Sequence, residues 1–172
     1  VDVGAKDKAE VLEMGIHVGS VITFQDELTK LNDRYYCGRA LDNRIGGFCI
    51  AEVARLLKEN KKTLPFSLYI VNAVQEEIGL RGAEMIANTI KPHVAIITDV
   101  THDTSTPLVN NKIQGDIKCG LGPSLTYAPA VHNLLLEQII DVAESKKIDF
   151  QRSAASRSTG TDTDAFAYSN GG

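Results

Sequence analysis

The sequence has no tryptophan, no run of basic residues and no long apolar segment, and each absence excludes a class of function. Without tryptophan, it offers no aromatic platform on which a sugar ring could stack. The formal net charge of −4 and the lack of basic residues interleaved with aromatics argue against a nucleic-acid partner. No apolar stretch approaches the ~20 residues that a membrane-spanning helix needs, so we expect no membrane partner.

Cysteine is also scarce. Cys37, Cys49 and Cys119 are odd in number and widely separated, without a C-x-x-C arrangement. This pattern suits reduced thiols in a cytoplasmic protein better than a disulfide framework or a zinc knuckle. We see no signal-peptide pattern. Because the chain opens on VDVGAKDKAE without an initiator methionine, we interpret it as a fragment of a longer protein.

The rest of the chain is organised around a strand–helix–strand pattern. Residues 66–74 are apolar and rich in β-forming side chains, which predicts a strand. Residues 79–90 have the apolar periodicity of a helix, and residues 94–98 form a second short apolar segment. Because such a unit places its two strands parallel, we expect an α/β fold with a mixed, mostly parallel sheet flanked by helices.

Three carboxylates follow the two predicted strands. Glu76 and Glu77 come just after the first strand, and Asp99 ends the second. The carboxyl ends of parallel strands face the same way, so we expect these acids to gather where open α/β sheets bind their ligands. Gathered carboxylates repel one another unless a counter-charge holds them ionised, and a divalent metal ion is such a counter-charge. The alternative is that they are solvated loop acids.

Two other segments contribute candidate residues. Asp42 precedes a long amphipathic helix predicted over residues 45–60, where it would either cap the helix or bind metal. His102 and Asp103 lie in the polar loop after Asp99 and are possible further ligands, although a histidine in a loop is more often solvated.

The remaining segments predict a second domain and the end of the α/β domain. Residues 1–36, with short strands at 18–24 and 34–37 punctuated by glycine, are more typical of a small β-barrel than of a doubly wound sheet. We therefore predict two domains, 1–36 and 37–172. Residues 130–147 predict a helix with His132 as a structural residue near its start, and residues 148–154 predict a strand. A further helix should follow the Gly-Thr-Asp turn, with Thr161 or Asp162 as its N-cap. Residues 170–172 predict a turn.

Four sequence blocks together resemble one family. This is the glutamyl aminopeptidase and tetrahedral aminopeptidase group of dinuclear metallopeptidases, which also holds proteins once called endoglucanase M. The blocks are VDVGAKDKAEVLEMGIHVGSVITF, ALDNRIGG, VQEEIGLRGA with its following ITDV, and GTDTDAFAYSNGG. Each block alone is weakly specific, but the set follows the family's order and spans nearly all of the chain.

The resemblance implies a zinc-peptidase-like fold and a site with two divalent metal ions, commonly zinc or cobalt. It makes Asp42 the carboxylate that bridges both ions, Glu77 a ligand of one ion and Asp99 a ligand of the other. It makes Glu76 the general base that activates water for attack on a peptide substrate. All four residues lie inside the matching blocks.

The resemblance also carries expectations about assembly and completeness. It identifies residues 1–36 as the end of a β-barrel-like oligomerisation domain, in a homo-oligomer of up to a dodecamer. The family's H-x-D motif and its C-terminal histidine ligand have no counterpart in this chain. Each ion would lack its imidazole, so we expect this fragment to bind metal weakly and to be inactive by itself.

Other functions stay open on sequence grounds. A dinuclear carboxypeptidase or N-deacylase shares the bridging aspartate and the Glu-Glu pair, although the VDVGA and GTDTDA blocks favour an aminopeptidase. A non-catalytic assembly domain would use the same acids only for capping and solvation. A glycosidase would also need paired carboxylates, but the lack of tryptophan argues against it.

Overall fold

The computed structural model describes residues 1–169, which divide into two units between Arg39 and Ala40. The domain boundary predicted between residues 36 and 37 stays a prediction. The turn predicted at 170–172 lies outside the described residues. None of the helices in this part of the chain combines the length and the apolar character needed to cross a bilayer.

The first unit contains a short helix and a β-hairpin: α1 (Lys8–Glu13), β1 (Thr29–Leu31) and β2 (Tyr35–Cys37). The two strands pair antiparallel, with Leu31 opposite Tyr35, and β2 confirms the strand predicted at 34–37. The prediction of a strand at 18–24 is wrong, because no strand among the described residues pairs with that segment and Phe24 is exposed. A single hairpin is not a barrel, so the β-barrel remnant stays a prediction.

The second unit carries the helices and a parallel strand pair: α2 (Leu41–Glu59), α3 (Arg81–Ile90), α4 (Asn111–Gln114), β3 (Ser124–Tyr127), α5 (Asn133–Lys146), β4 (Gln151–Ala154) and α6 (Asp162–Ala167). The helices predicted at 45–60, 79–90 and 130–147 are confirmed with shifted ends. The strand predicted at 148–154 and the helix after the Gly-Thr-Asp turn are confirmed in the same way.

Strands β3 and β4 form a parallel pair around α5, so a βαβ unit does occur, late in the chain. Ser124 lies opposite Gln151 and Tyr127 opposite Ala154. The Ser124 hydroxyl donates a hydrogen bond to the Ser153 hydroxyl at 2.9 Å across the pair. The α/β class is therefore confirmed on a smaller sheet than the sequence predicted.

The prediction of a βαβ unit around α3 is wrong. Residues 66–74 and 94–98 flank α3 as expected, but neither segment is a strand. The physical reason is that a strand forms only when a neighbouring backbone completes its ladder, and within residues 1–169 these segments have no such neighbour. Their apolar side chains are left partly in solvent: Phe66 is 62% and Ile96 is 67% exposed. The mostly parallel sheet is therefore absent from the described part of the chain.

The core of the second unit is small, and its packing joins elements that carry candidate residues. Its buried apolar side chains are Ala83, Ala87, Ile117, Leu136, Ile140 and Ala143. Helix α3 packs against α6, and α5 packs against β3. The loop after Asp99 is anchored by the buried Thr104, whose N–H and hydroxyl donate to the Ile117 carbonyl at 2.8 and 3.0 Å.

Candidate active site

Asp42 lies in an irregular first turn of α2, next to the residue that caps the helix. Asp42 and Asn43 have non-helical backbone angles, and the peptide bond between them is cis. The Asn43 Oδ1 accepts the Gly46 N–H at 2.8 Å, as an N-cap does for the third residue of a helix. Capping therefore falls to Asn43, and the capping role considered for Asp42 is wrong. The Asp42 side chain is exposed.

Asn43 also connects the start of α2 to the segment that ends on Asp99. Its Nδ2 donates to the Thr98 carbonyl at 2.7 Å. Gly46 is buried at this junction, where an added Cβ would lie 2.7 Å from the Asn43 Nδ2 and 2.8 Å from the Thr98 Oγ1. The sequence neighbours of Asp42 and Asp99 are thus in direct contact, and a Cβ at residue 46 would displace the side chains that make it.

Glu76 and Glu77 lie in a turn that is attached to the first turn of α3. The Glu76 carbonyl accepts the N–H groups of Gly79 at 3.1 Å and of Leu80 at 3.0 Å. Gly82 N–H donates to the Val74 carbonyl at 3.0 Å, so the helix also holds the chain just before the two acids. A Cβ on Gly82 would lie 2.6 Å from the Val74 nitrogen, which leaves room for glycine alone.

The acids from these segments act on one another electrostatically. Partial burial raises the pKa of Glu76, and the charges of Asp99, Glu77, Asp162 and Asp42 raise it further. Burial also raises the pKa of Asp99, and the charge of Asp42 adds to the increase. The three other acids predicted from the sequence, Asp42, Glu77 and Asp99, therefore lie within electrostatic range of Glu76, while the roles assigned to all four stay predictions.

Asp162 is the member of this group that sequence reasoning missed. It was considered only as an N-cap, yet the N-cap of α6 is Thr161. Burial raises the pKa of Asp162, and so does the charge of Asp99. The packing of α3 against α6 brings Asp162 near the turn that carries Glu76. The sequence feature that could have identified Asp162 as a member of the site is its position directly after the Gly-Thr pair of the GTDTDA block.

Of the two further ligands considered in the loop after Asp99, Asp103 is engaged in contacts with other residues, and His102 stays a prediction. Asp103 accepts the Ser105 hydroxyl, the Cys119 N–H at 3.0 Å and the Ser105 N–H at 2.7 Å. These bonds hold the pKa of Asp103 well below its ordinary value and engage its carboxylate with Ser105 and Cys119. His132 is a structural residue as predicted, since its ring accepts the Leu135 N–H at 3.3 Å at the start of α5.

Comparison with known proteins identifies the family. Residues 1–172 match the family described as M42 glutamyl aminopeptidase. The chain belongs to this family. The resemblance drawn from the four sequence blocks is thereby confirmed.

Named M42 relatives and solved structures match nearly all of the chain. Lysyl aminopeptidase of Pyrococcus furiosus is 35% identical over 172 residues, which is 100% of this chain and 48% of the relative. A TET aminopeptidase from a marine sediment archaeon of the Thaumarchaeota superposes with a TM-score of 0.83 at 32% identity, over 98% of this chain and 48% of that one. PhTET1-12s, solved with a dodecamer in its asymmetric unit, gives a TM-score of 0.66 at 26% identity, over 96% and 49%. The chain therefore spans about half the length of the relatives that it matches.

The acids of this M42 chain fit a metal site in chemistry but do not form a finished one. Carboxylate oxygens bind zinc, and repulsion among the acids around Glu76 is what a cation would relieve. Among residues 1–169, however, no group of three His, Cys, Asp or Glu side chains is arranged to hold an ion. The carboxylate donors are present, but a complete metal-coordination sphere would need further ligands.

Proposed function

We propose that the intact protein is a metal-dependent aminopeptidase that hydrolyses N-terminal residues from peptides. The observation that carries this proposal is the gathering of acids from separate segments around the partly buried Glu76. Membership of the M42 family and the similarity to lysyl aminopeptidase support the same activity.

In this proposal, Asp42, Glu77 and Asp99 would hold two divalent ions, zinc or cobalt. When bound, such ions polarise a carbonyl and lower the pKa of water. The hydrogen bond from Asn43 to Thr98 supports the arrangement, because it ties the residue after Asp42 to the residue before Asp99. The histidine ligands expected from the family have no counterpart in this sequence, so we propose that the isolated chain binds metal weakly and is inactive.

Glu76 is the proposed general base. Its carboxylate would accept a proton from the attacking water and pass it to the leaving amine. Glu76 is partly buried, whereas Glu77 is exposed. The two neighbouring acids therefore meet different surroundings, and one can bind metal while the other serves the reaction.

We propose further that the intact protein is a homo-oligomer of up to a dodecamer, and that the first unit takes part in subunit contacts. The similarity to the dodecameric PhTET1-12s supports the assembly. The first unit exposes several large apolar side chains, including Val18, Ile22 and Phe24. Subunit interfaces bury side chains of this kind, which supports a role for residues 1–39 in assembly.

Substitution of the two neighbouring glutamates tests the proposed function in the intact protein. Glu76→Gln should keep its bound metal and lose roughly 10²- to 10⁴-fold in kcat on an aminoacyl p-nitroanilide. Glu77→Gln should instead lose metal, as measured by inductively coupled plasma mass spectrometry. Glu144→Gln is the control, because Glu144 pairs with Arg152 on the surface at 3.3 Å.

Two results would overturn the proposal. Hydrolysis of N-acyl amino acids in place of aminoacyl p-nitroanilides would assign the site to a carboxypeptidase or N-deacylase. A Glu76→Gln protein with every measured property unchanged would show that the acids only cap and solvate, as in a non-catalytic assembly domain.

A further inference from the structure

The carboxylate of Asp162 has an oxygen that the fold leaves unsatisfied. Its Oδ1 exposes less than 1 Å² to solvent and has no hydrogen-bond partner among residues 1–169. Burying an acceptor without a partner costs free energy, and most buried polar groups in native proteins do have one. Asp162 is therefore suited to a donor or a cation from outside the described chain.

Helix capping does not explain the position of Asp162. Thr161 caps α6, since its Oγ1 accepts a backbone N–H of the first turn at 3.2 Å. Asp164 accepts the N–H groups of Thr159 at 3.0 Å and of Gly160 at 3.2 Å. The side chains on either side of Asp162 thus organise the start of the helix, and Asp162 remains available for another contact.

Asp162 also lies within electrostatic range of the proposed general base, on a helix that packs against α3. Its charge acts on Glu76, and the charge of Asp99 acts on Asp162. In the proposed function, Glu76 acts as the general base in hydrolysis of the peptide bond that follows the first residue of the substrate. The α-amino group of that residue lies only a few atoms from the same bond. An unsatisfied carboxylate oxygen within electrostatic range of Glu76 is therefore a candidate partner for the free end of the substrate.

We propose that Asp162 binds the α-ammonium group of the substrate's N-terminal residue and so selects for a free amino terminus. This assignment rests on the proposed aminopeptidase function. An ammonium group brings three N–H donors and a positive charge, and a buried carboxylate oxygen without a donor matches both. A peptide with an acylated N terminus offers one N–H donor and no positive charge, so it would match the carboxylate less well, which discriminates against it.

Binding of two ligands that differ only in the amine tests this assignment. The probes are L-leucinamide and 4-methylpentanamide, which keeps the same skeleton without the amine, titrated calorimetrically into the metal-loaded intact protein at neutral pH. The wild type should prefer leucinamide, and Asp162→Asn should weaken leucinamide binding by about tenfold or more while leaving 4-methylpentanamide unchanged. Asp164→Asn is the matched control on the same helix, and it should keep the preference for the amine.

Several results would overturn the assignment. An unchanged preference in Asp162→Asn, an equal loss for both ligands, or a loss of bound zinc would each show that Asp162 does not recognise the amine. If Asp162→Asn does not fold, the same titration on Asp162→Ser decides the question by the same criteria. The rate on L-leucine p-nitroanilide tests the proposed function separately, because an inactive protein can still prefer the amine and an active one can still ignore Asp162.

Discussion

The side-chain amide of Asn43 donates a 2.7 Å hydrogen bond to the backbone carbonyl of Thr98, across a sequence separation of 55 residues. These two residues are the immediate neighbours of Asp42 and Asp99. The same asparagine caps α2 by accepting the Gly46 N–H. One side chain therefore both begins the helix and holds together the two segments that carry proposed metal ligands.

Replacing Asn43 should lower stability through both contacts. We expect Asn43→Ala to reduce the free energy of unfolding of the intact protein by about 1–2 kcal/mol, because a cap and a long-range hydrogen bond are lost. Urea denaturation measures the change. Asn60→Ala is the control, since the Asn60 amide donates only to the Leu56 carbonyl of its own helix. Equal losses for the two variants would show that the Thr98 contact does not stabilise the fold.

Alanine substitutions at two adjacent glycines of α2 should change the stability of the protein in opposite directions. Gly46 is buried against Asn43 and Thr98, whereas a Cβ on Gly47 would meet nothing within 4 Å. We expect Gly46→Ala to destabilise the intact protein by about 1–3 kcal/mol through overpacking. Gly47→Ala should stabilise it by about 0.5–1 kcal/mol through helix propensity. Thermal unfolding compares them, and a stabilising Gly46→Ala would refute the close contact.

Gly82 should matter for the turn that holds Glu76 and Glu77. A Cβ at this position would collide with the backbone of Val74, which cannot rotate away as a side chain can. We expect Gly82→Ala to cost about 1–3 kcal/mol of stability and to lower kcat/KM by moving the acids. Asn88→Ala, on the exposed part of α3, is the comparison. A fully stable and active Gly82→Ala protein would disprove this role.

Asp103 should make stability depend on acid pH. Its hydrogen bonds hold its folded-state pKa below the unfolded value of about 3.9. A depressed folded-state pKa gives stability that is present above the unfolded pKa and is lost as the pH falls through the folded pKa. Asp103→Asn should therefore be less stable than the wild type at neutral pH, and the difference should shrink below pH ~4.

Urea midpoints at a series of pH values measure that difference. Asp116→Asn is the control in the same part of the chain, because Asp116 pairs with Lys118 on the surface at 2.8 Å. A difference in urea midpoint between wild type and Asp103→Asn that stays constant from neutral to acid pH would exclude a pH-linked contribution of Asp103 to stability.

The parts of the fold that depend on local sequence were predictable. Apolar periodicity located α3 and α5, and the Gly-Thr-Asp turn located the start of α6 with Thr161 among the two possible caps. Helices make their backbone hydrogen bonds within one segment, so a sequence window contains most of the information that positions them. The Glu-Glu pair and Asp99 were found for a similar reason, since each follows an apolar segment.

The features that depend on distant partners were not predictable. The apolar segments 66–74 and 94–98 have strand-like composition, but composition does not provide the neighbouring backbone that a ladder requires. The hydrogen bond from the Asn43 amide to the Thr98 carbonyl joins residues 55 positions apart, which no local pattern encodes. The buried oxygen of Asp162 likewise arises from tertiary packing, including that of α6 on α3.

We propose that Asp42, Glu77 and Asp99 bind a pair of divalent ions in the intact protein. Anomalous X-ray diffraction from crystals of the intact protein grown with zinc would locate such ions. We expect two anomalous peaks roughly 3.5–4 Å apart, with all three carboxylates about 2 Å from a peak and Asp42 touching both. Peaks that lie elsewhere, or carboxylates of Asp42, Glu77 and Asp99 that face separate parts of the molecule, would contradict the claim.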